Sequence, residues 1–286
     1  MDSHLQSIFE EAYSGFHSDF YREKDPVRFV HLYSRREDQE VVGLISALLA
    51  YGNVKIILKS VGDILRHLGE SPAKTIQSGD FYGRFANFRH RFTTGEDIEI
   101  LLCWIRSALD SHGSLHDFFC RSRHPQMRDQ LSAFVRNLTG QPLPKELEEV
   151  RMRRARNLKY LVSDPHQGSA CKRLNLYLRW MVRPADGVDV GIWKNVDPAQ
   201  LMLPVDTHIL KIIRRLRWTR SQQANWKVVE QATARLRRLN AADPIRYDFS
   251  LCHLLMEGNQ ALYEKMARRP VHQKGASRKL RSPIGL

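Results

Sequence analysis

No stretch of this 286-residue chain approaches the apolar length needed to span a bilayer. Its opening residues, Met1-Asp2-Ser3-His4, lack the basic-then-apolar run of a secretory signal. A cytoplasmic location with no membrane partner is therefore expected. Cysteine is scarce: Cys103, Cys120, Cys171 and Cys252 are the only four, and none forms a Cys-x-x-Cys pair. That excludes a disulfide framework and predicts free thiols in a reducing compartment. Cys120 with His124, and Cys252 with His253, are too sparse for zinc, and the four-cysteine cluster of an iron–sulfur centre is absent. Neither metal nor cofactor is expected. Alternating polar and apolar runs are also missing, which excludes a strand-rich fold.

Positive charge is abundant. Lysine and arginine outnumber acids 45 to 31, a net charge of +14. Such an excess favours a polyanionic partner, whose counterions are released on binding. The plain alternative is a surface that merely carries many lysines and arginines. Hydrophobic residues make up 42% of the chain, enough to exclude a disordered protein and to fill a core. Helical periodicity dominates and predicts an all-α class. Val41, Val42, Leu44, Ile45, Leu48 and Leu49 mark one helix; Ile56 to Leu68 mark a second, closing at Gly69, with Gly52-Asn53 as the break. Further helices are predicted over Asp97–Leu109, within His116–Leu138 (one or two), and over Lys172–Val182, Thr207–Leu216 and Trp226–Leu239. A last one runs through Leu255, after the opening Asp243-Pro244-Ile245-Arg246-Tyr247-Asp248.

Gly140 to Pro144 has linker composition, and the basic run Arg151 to Arg156 follows it. A helix there spreads its arginines round the axis, so they face solvent or phosphate. The segment 267–286 is basic, with prolines and glycines, and is expected to be a flexible tail.

Two short motifs bear on chemistry. Pro165 to Lys172 places proline, glycine and small residues before a helix expected to begin near Ser169. Such a turn can point backbone N–H groups, and the positive end of a helix dipole, at a phosphate; it can also be an ordinary connection. In Leu203-Pro204-Val205-Asp206-Thr207-His208, Asp206 is placed to cap the next helix, which also holds its carboxylate ionised and fixed in direction.

Together, Gly168, Lys172, Pro204, Val205, Asp206 and His208 resemble the Gly-x-Gly-x-Lys hairpin and Pro-Val-Asp-x-His of the helix-hairpin-helix DNA glycosylase superfamily, especially its 8-oxoguanine branch. Asp243-Pro244-x-x-Tyr247-Asp248 looks like that superfamily's closing helices. The block Leu44 to Asn53 sits where the family places a helix ending in a residue that probes the opened base pair. Cys171 to Val182, with the loop that follows, resembles an uncharacterised bacterial branch of the superfamily, and that likeness extends over most of the chain. Two departures stand out: Ala170 occupies the second glycine position, and Lys172 lies 34 positions before Asp206, a wide spacing filled by an apparent inserted loop over 183–203.

The resemblance implies two helical lobes with the hairpin at the cleft between them. Residues 38–172 form one lobe, and 1–37 plus 173–266 the other. It implies a base-excision repair enzyme, acting as a monomer on double-stranded DNA with a damaged base such as 8-oxoguanine, and located with the nucleoid. Lys172 is then the nucleophile that forms a Schiff base with the sugar and confers AP lyase activity. Asp206 stabilises positive charge developing on the sugar. Gly168, Ser169, Ala170, Arg173, His208 and Asn53 are implied DNA contacts. A neutral lysine amine needs desolvation or neighbouring cations, for which Lys159 and Arg173 are candidates. Trp180, Trp193 and Trp218 are read as core residues with base stacking as the alternative, and Asp189 as a solvated loop acid. A non-catalytic DNA-binding protein, or an enzyme acting on structured RNA, fits the charge equally well.

Overall fold

The computed structural model describes residues 3–266, and over them the protein is all-α, apart from a two-residue antiparallel pair that joins Arg89–His90 to Thr93–Thr94. The expected basic tail, 267–286, lies outside the described residues. No helix among them is long and apolar enough to cross a membrane, and all four cysteines are free of disulfides.

The helix Arg36–Leu48 is the central element. Almost every residue from Asp38 to Leu48 is buried, including Asp38 and Glu40. The two acids are tolerated inside because each satisfies a helix start. Asp38 Oδ1 accepts from the Ala73 N–H at 2.8 Å, at the head of the helix Pro72–Ser78. Glu40 Oε2 accepts from the Leu115 N–H at 2.8 Å, at the head of Leu115–Cys120. Its other oxygen accepts from Trp193 Nε1 at 2.9 Å and from Arg36. A carboxylate aimed at free N–H groups and a helix dipole offsets its own desolvation.

Lys172–Val182 lies against Arg36–Leu48, with Met181 and Tyr177 close over Gly43, where a side chain would collide. The helix Ser3–Phe16 buries Leu5, Ile8, Phe9, Ala12 and Phe16 and packs on Asp248–Met256. Buried apolar side chains from Leu5 to Met266 form one contiguous cluster.

The segment after Lys172–Val182 is a loop, as expected, but it is packed into the interior. Val188 and Trp193 are fully buried, and Asp189 is 1% exposed. The reading of Asp189 as a solvated acid is thus overturned. Asp189 accepts from Arg179 Nε at 3.1 Å and from Arg183 Nη1, and Arg183 also holds Asp243 at 2.9 Å. Two buried guanidiniums, one on the helix and one just past its end, need carboxylates beside them, and the loop supplies one. Trp180 and Trp193 are core residues; Trp218 is half-buried, its ring edge-on to Phe9 at 6.3 Å.

The basic run also differs from expectation. It breaks at Arg154 into Lys145–Arg153 and Ala155–Leu161. Arg154 does not face outward: it binds the buried Asp97 at 2.5 Å and the Phe92 carbonyl at 2.7 Å, while Arg153 pairs with Glu96.

Removing Asp189 leaves two buried cations without their shared partner. Asp189→Ala is expected to cost about 3–5 kcal/mol, read as a lower midpoint in urea unfolding; a midpoint within error of the parent protein contradicts this account of the loop.

Candidate functional site

A cavity of about 790 Å³ is lined by residues from distant parts of the sequence. Ala50 to Val54 come from the turn after Arg36–Leu48, and Ser169 to Arg173 from the connection into Lys172–Val182. Asp206 to Leu210 and Asp248 with Cys252 come from two later helices.

Local chemistry sets the connection. Gly168 takes a left-handed conformation, φ 83°, and closes the single 3₁₀ turn Pro165–Gln167. The second left-handed residue is Cys171, φ 45°, and not Ala170. This explains why alanine serves at 170, and why the helix starts at Lys172, three residues later than expected: Cys171 interrupts the helical backbone. Ser169 Oγ accepts from the Cys171 N–H at 3.1 Å, and Cys171 Sγ donates to the Ser163 carbonyl at 3.2 Å. No side chain caps this helix. The N–H groups of Lys172, Arg173 and Leu174 are therefore free of protein acceptors among the described residues.

Lys172 is half-buried at the first helical position, and its Nζ donates to the Ala50 carbonyl at 3.2 Å. Asp206 caps Thr207–Arg215: Oδ1 accepts from the His208 and Ile209 N–H groups, both at 2.9 Å. Oδ2 accepts only a long thiol hydrogen bond, from Cys252 Sγ at 3.9 Å. The capped oxygen fixes the carboxylate, and the second oxygen remains available to a ligand.

The other residues singled out in the sequence divide. Asn53, Ser169, Ala170, Arg173 and His208 line the cavity with Lys172 and Asp206; Gly168 does not. Asn53 is exposed and caps Val54–Leu68 through Oδ1. The His208 ring makes no hydrogen bond among the described residues, whereas Arg173 is tied inward. Its guanidinium donates to the Leu48 carbonyl at 3.1 Å and to that of Tyr160, and lies over the rings of Tyr51 and Tyr160 at 5.0 and 4.5 Å. It spends much of its donor capacity on the protein's own backbone.

Sequence reasoning missed three features. Tyr51, Phe92 and Tyr160 form an aromatic cluster with centroid distances of 5.3–6.0 Å. Tyr51 and Tyr160 line the cavity, and Phe92 and Tyr160 are exposed. Second, Arg179 and Asp248, paired at 2.5 Å, line the cavity together with Asp25. Burial works against the Arg179 charge, but Asp189, Asp248 and Asp25 outweigh it and raise its pKa. Burial pushes the Asp248 carboxyl up to about 6 against the pull of Arg179, and the Asp206 charge adds to the rise. Burial would raise Asp25 too, but His253 at 3.8 Å and Arg179 hold it below its usual value. Third, burial and the Asp206 charge push the Cys252 thiol well above its usual range. It therefore stays a protonated, unreactive thiol near neutrality. No group of three or more His, Cys, Asp or Glu side chains among the described residues is arranged to hold a metal ion.

Residues 25–257 match the family described as Protein of unknown function (DUF2400), and the chain belongs to that family. No curated protein and no solved structure matches it.

Folding raises the Asp248 pKa from 3.8 to about 6, so the folded state binds that proton more tightly than the unfolded one. The stabilisation it brings is full below about pH 4 and is lost as pH rises through about 6. Urea unfolding of the protein and of Asp248→Asn across pH 4–7 should show the parent losing stability relative to the variant over that window. A constant difference would mean that the carboxyl titrates at its ordinary value.

Proposed function

We propose that this protein is a DNA base-excision glycosylase with AP lyase activity, acting on an oxidised purine such as 8-oxoguanine in double-stranded DNA. The observation that carries the reading is the convergence of Lys172 and Asp206 on one cavity although they lie 34 positions apart. In this reading the helices Ala155–Leu161 and Lys172–Val182, with the connection over 162–171, are the helix-hairpin-helix element. The cavity is the cleft between two helical lobes, one of which unites Ser3–Phe16 with Asp248–Met256. The free N–H groups of the first turn after Cys171 suit a backbone phosphate. The net charge of +14 supplies the general attraction to DNA.

A glycosylase takes its base out of the stack and into a pocket, and 790 Å³ accommodates a nucleotide. The Lys172 amine, released from the Ala50 carbonyl, attacks the sugar C1′. The Nζ–C1′ bond forms, and the bond from C1′ to the base breaks with its electron pair leaving on the base. Loss of a proton from the nitrogen and opening of the sugar ring give the imine. Asp206 Oδ2 faces the positive charge that develops on the sugar, while the two amide bonds to Oδ1 keep it from turning away. The exposed rings of Phe92 and Tyr160 offer stacking surfaces near the cavity mouth.

Borohydride trapping tests the reading. On duplex DNA carrying 8-oxoguanine or an abasic site, the protein should form a covalent adduct, and Lys172→Gln should lose it while still binding. Asp206→Asn keeps a good helix cap and should fold, yet slow base release by roughly 100-fold or more. Absence of any adduct across a lesion panel at low salt, with binding retained, would instead identify a non-catalytic DNA-binding protein.

A further inference from the structure

The floor of the cavity holds a donor and an acceptor that the proposed chemistry leaves idle. Arg179 is 2% exposed. Its Nε binds Asp189 at 3.1 Å and its Nη1 binds Asp248 at 2.5 Å. Its Nη2 is buried and has no hydrogen-bond partner. A buried N–H of a charged group left unmatched is costly, and a guanidinium presents its donors in a fixed plane. Asp248, 4% exposed, spends Oδ2 on Arg179, and its Oδ1 accepts from no group among the described residues. Both residues line the same cavity as Lys172 and Asp206. The loop residue Asp189 fixes Arg179 from behind, so the pair is held by the core and cannot swing out to solvent.

We infer that Arg179 and Asp248 read the 6-oxo edge of an everted purine, Arg179 donating to the carbonyl oxygen and Asp248 accepting from the adjacent ring N–H. The inference rests on the reading that an everted base enters this cavity. The pair of groups matches guanine-type bases, whose O6 accepts and whose N1–H donates. It opposes adenine-type bases, which present an amino donor to the arginine and a bare ring nitrogen to the carboxylate. A mismatched edge leaves both protein groups unpaired as well as facing like polarity, and that is how a polar pocket rejects an analogue. The 8-oxo group is common to oxidised guanine and oxidised adenine, so the two must be told apart on the side that carries the 6-position and N1.

The test compares duplexes carrying 8-oxoguanine, 8-oxoadenine or a tetrahydrofuran abasic analogue at one position, bound to the Lys172→Gln protein and followed by fluorescence anisotropy. The 8-oxoguanine duplex should bind at least tenfold more tightly than the 8-oxoadenine duplex, the scale of one well-made base-edge pair. Arg179→Lys and Asp248→Asn, each added to Lys172→Gln and checked for folding by circular dichroism, should each shrink that ratio several-fold, a larger change than either makes in abasic-site affinity. Equal affinity for the two oxidised purines overturns the inference without any further variant. So does a ratio that survives both substitutions. If the abasic duplex still binds above undamaged DNA in those cases, the glycosylase reading stands and only the edge assignment fails. If no lesion duplex binds above undamaged DNA, both fall.

Discussion

Arg179 sits beyond the reach of bulk solvent, in contact with Asp189 and Asp248 and within the field of Asp25. A buried guanidinium is tolerable only when carboxylates surround it, and here they arrive from three separate parts of the sequence. Asp25 comes from the start of the Pro26–Leu32 turn, Asp189 from the loop after Lys172–Val182, and Asp248 from a later helix. The need to neutralise one cation thus fixes the loop, closes the cavity floor and sets the direction of the helix that begins with Lys172. Arg183, one turn further on, repeats the arrangement with Asp186, Asp189 and Asp243.

The two residues at the centre of the proposed chemistry are held by backbone. Lys172 is tied to a carbonyl at the end of the buried helix Arg36–Leu48, and Asp206 is tied to two amides of the helix it starts. Such tethers fix position without supplying competing charge. They also leave the second Asp206 oxygen with no partner but the weak thiol donor of Cys252. The same economy governs Asp38 and Glu40, which bridge their helix to the starts of two others from inside the core.

Much of this was legible in the sequence, and the failures have physical causes. The apolar stripes at helical spacing gave the helix over Lys172–Val182, although the turn before it suggested a start near Ser169; nine of its eleven residues are buried. The Asp206 cap followed from a lone acid before an amphipathic run. Ser3–Phe16 was overlooked although Leu5, Ile8, Phe9, Ala12 and Phe16 carry the same spacing. Asp189 was misread because charge in a loop with prolines and glycines suggests solvent; only the arginines across the core reveal its burial. The basic run was misread for the converse reason, since its partners Asp97 and Glu96 lie more than fifty positions upstream. The aromatic cluster leaves no local pattern, because its three rings come from three segments.

The helix carrying Asp248 packs against Ser3–Phe16, more than two hundred positions earlier in the chain. Contacts of such separation form only after a long loop has closed, so they come late in folding. That helix also carries Asp248 to Arg179, 69 positions earlier, at the cavity floor. Until Asp25 and Asp248 come in from their own segments, Arg179 lacks two of its three carboxylates, and the lysine has no enclosed space to face. Assembly of the pocket is therefore timed to completion of the whole fold, and a half-folded chain exposes its basic surface without a finished site.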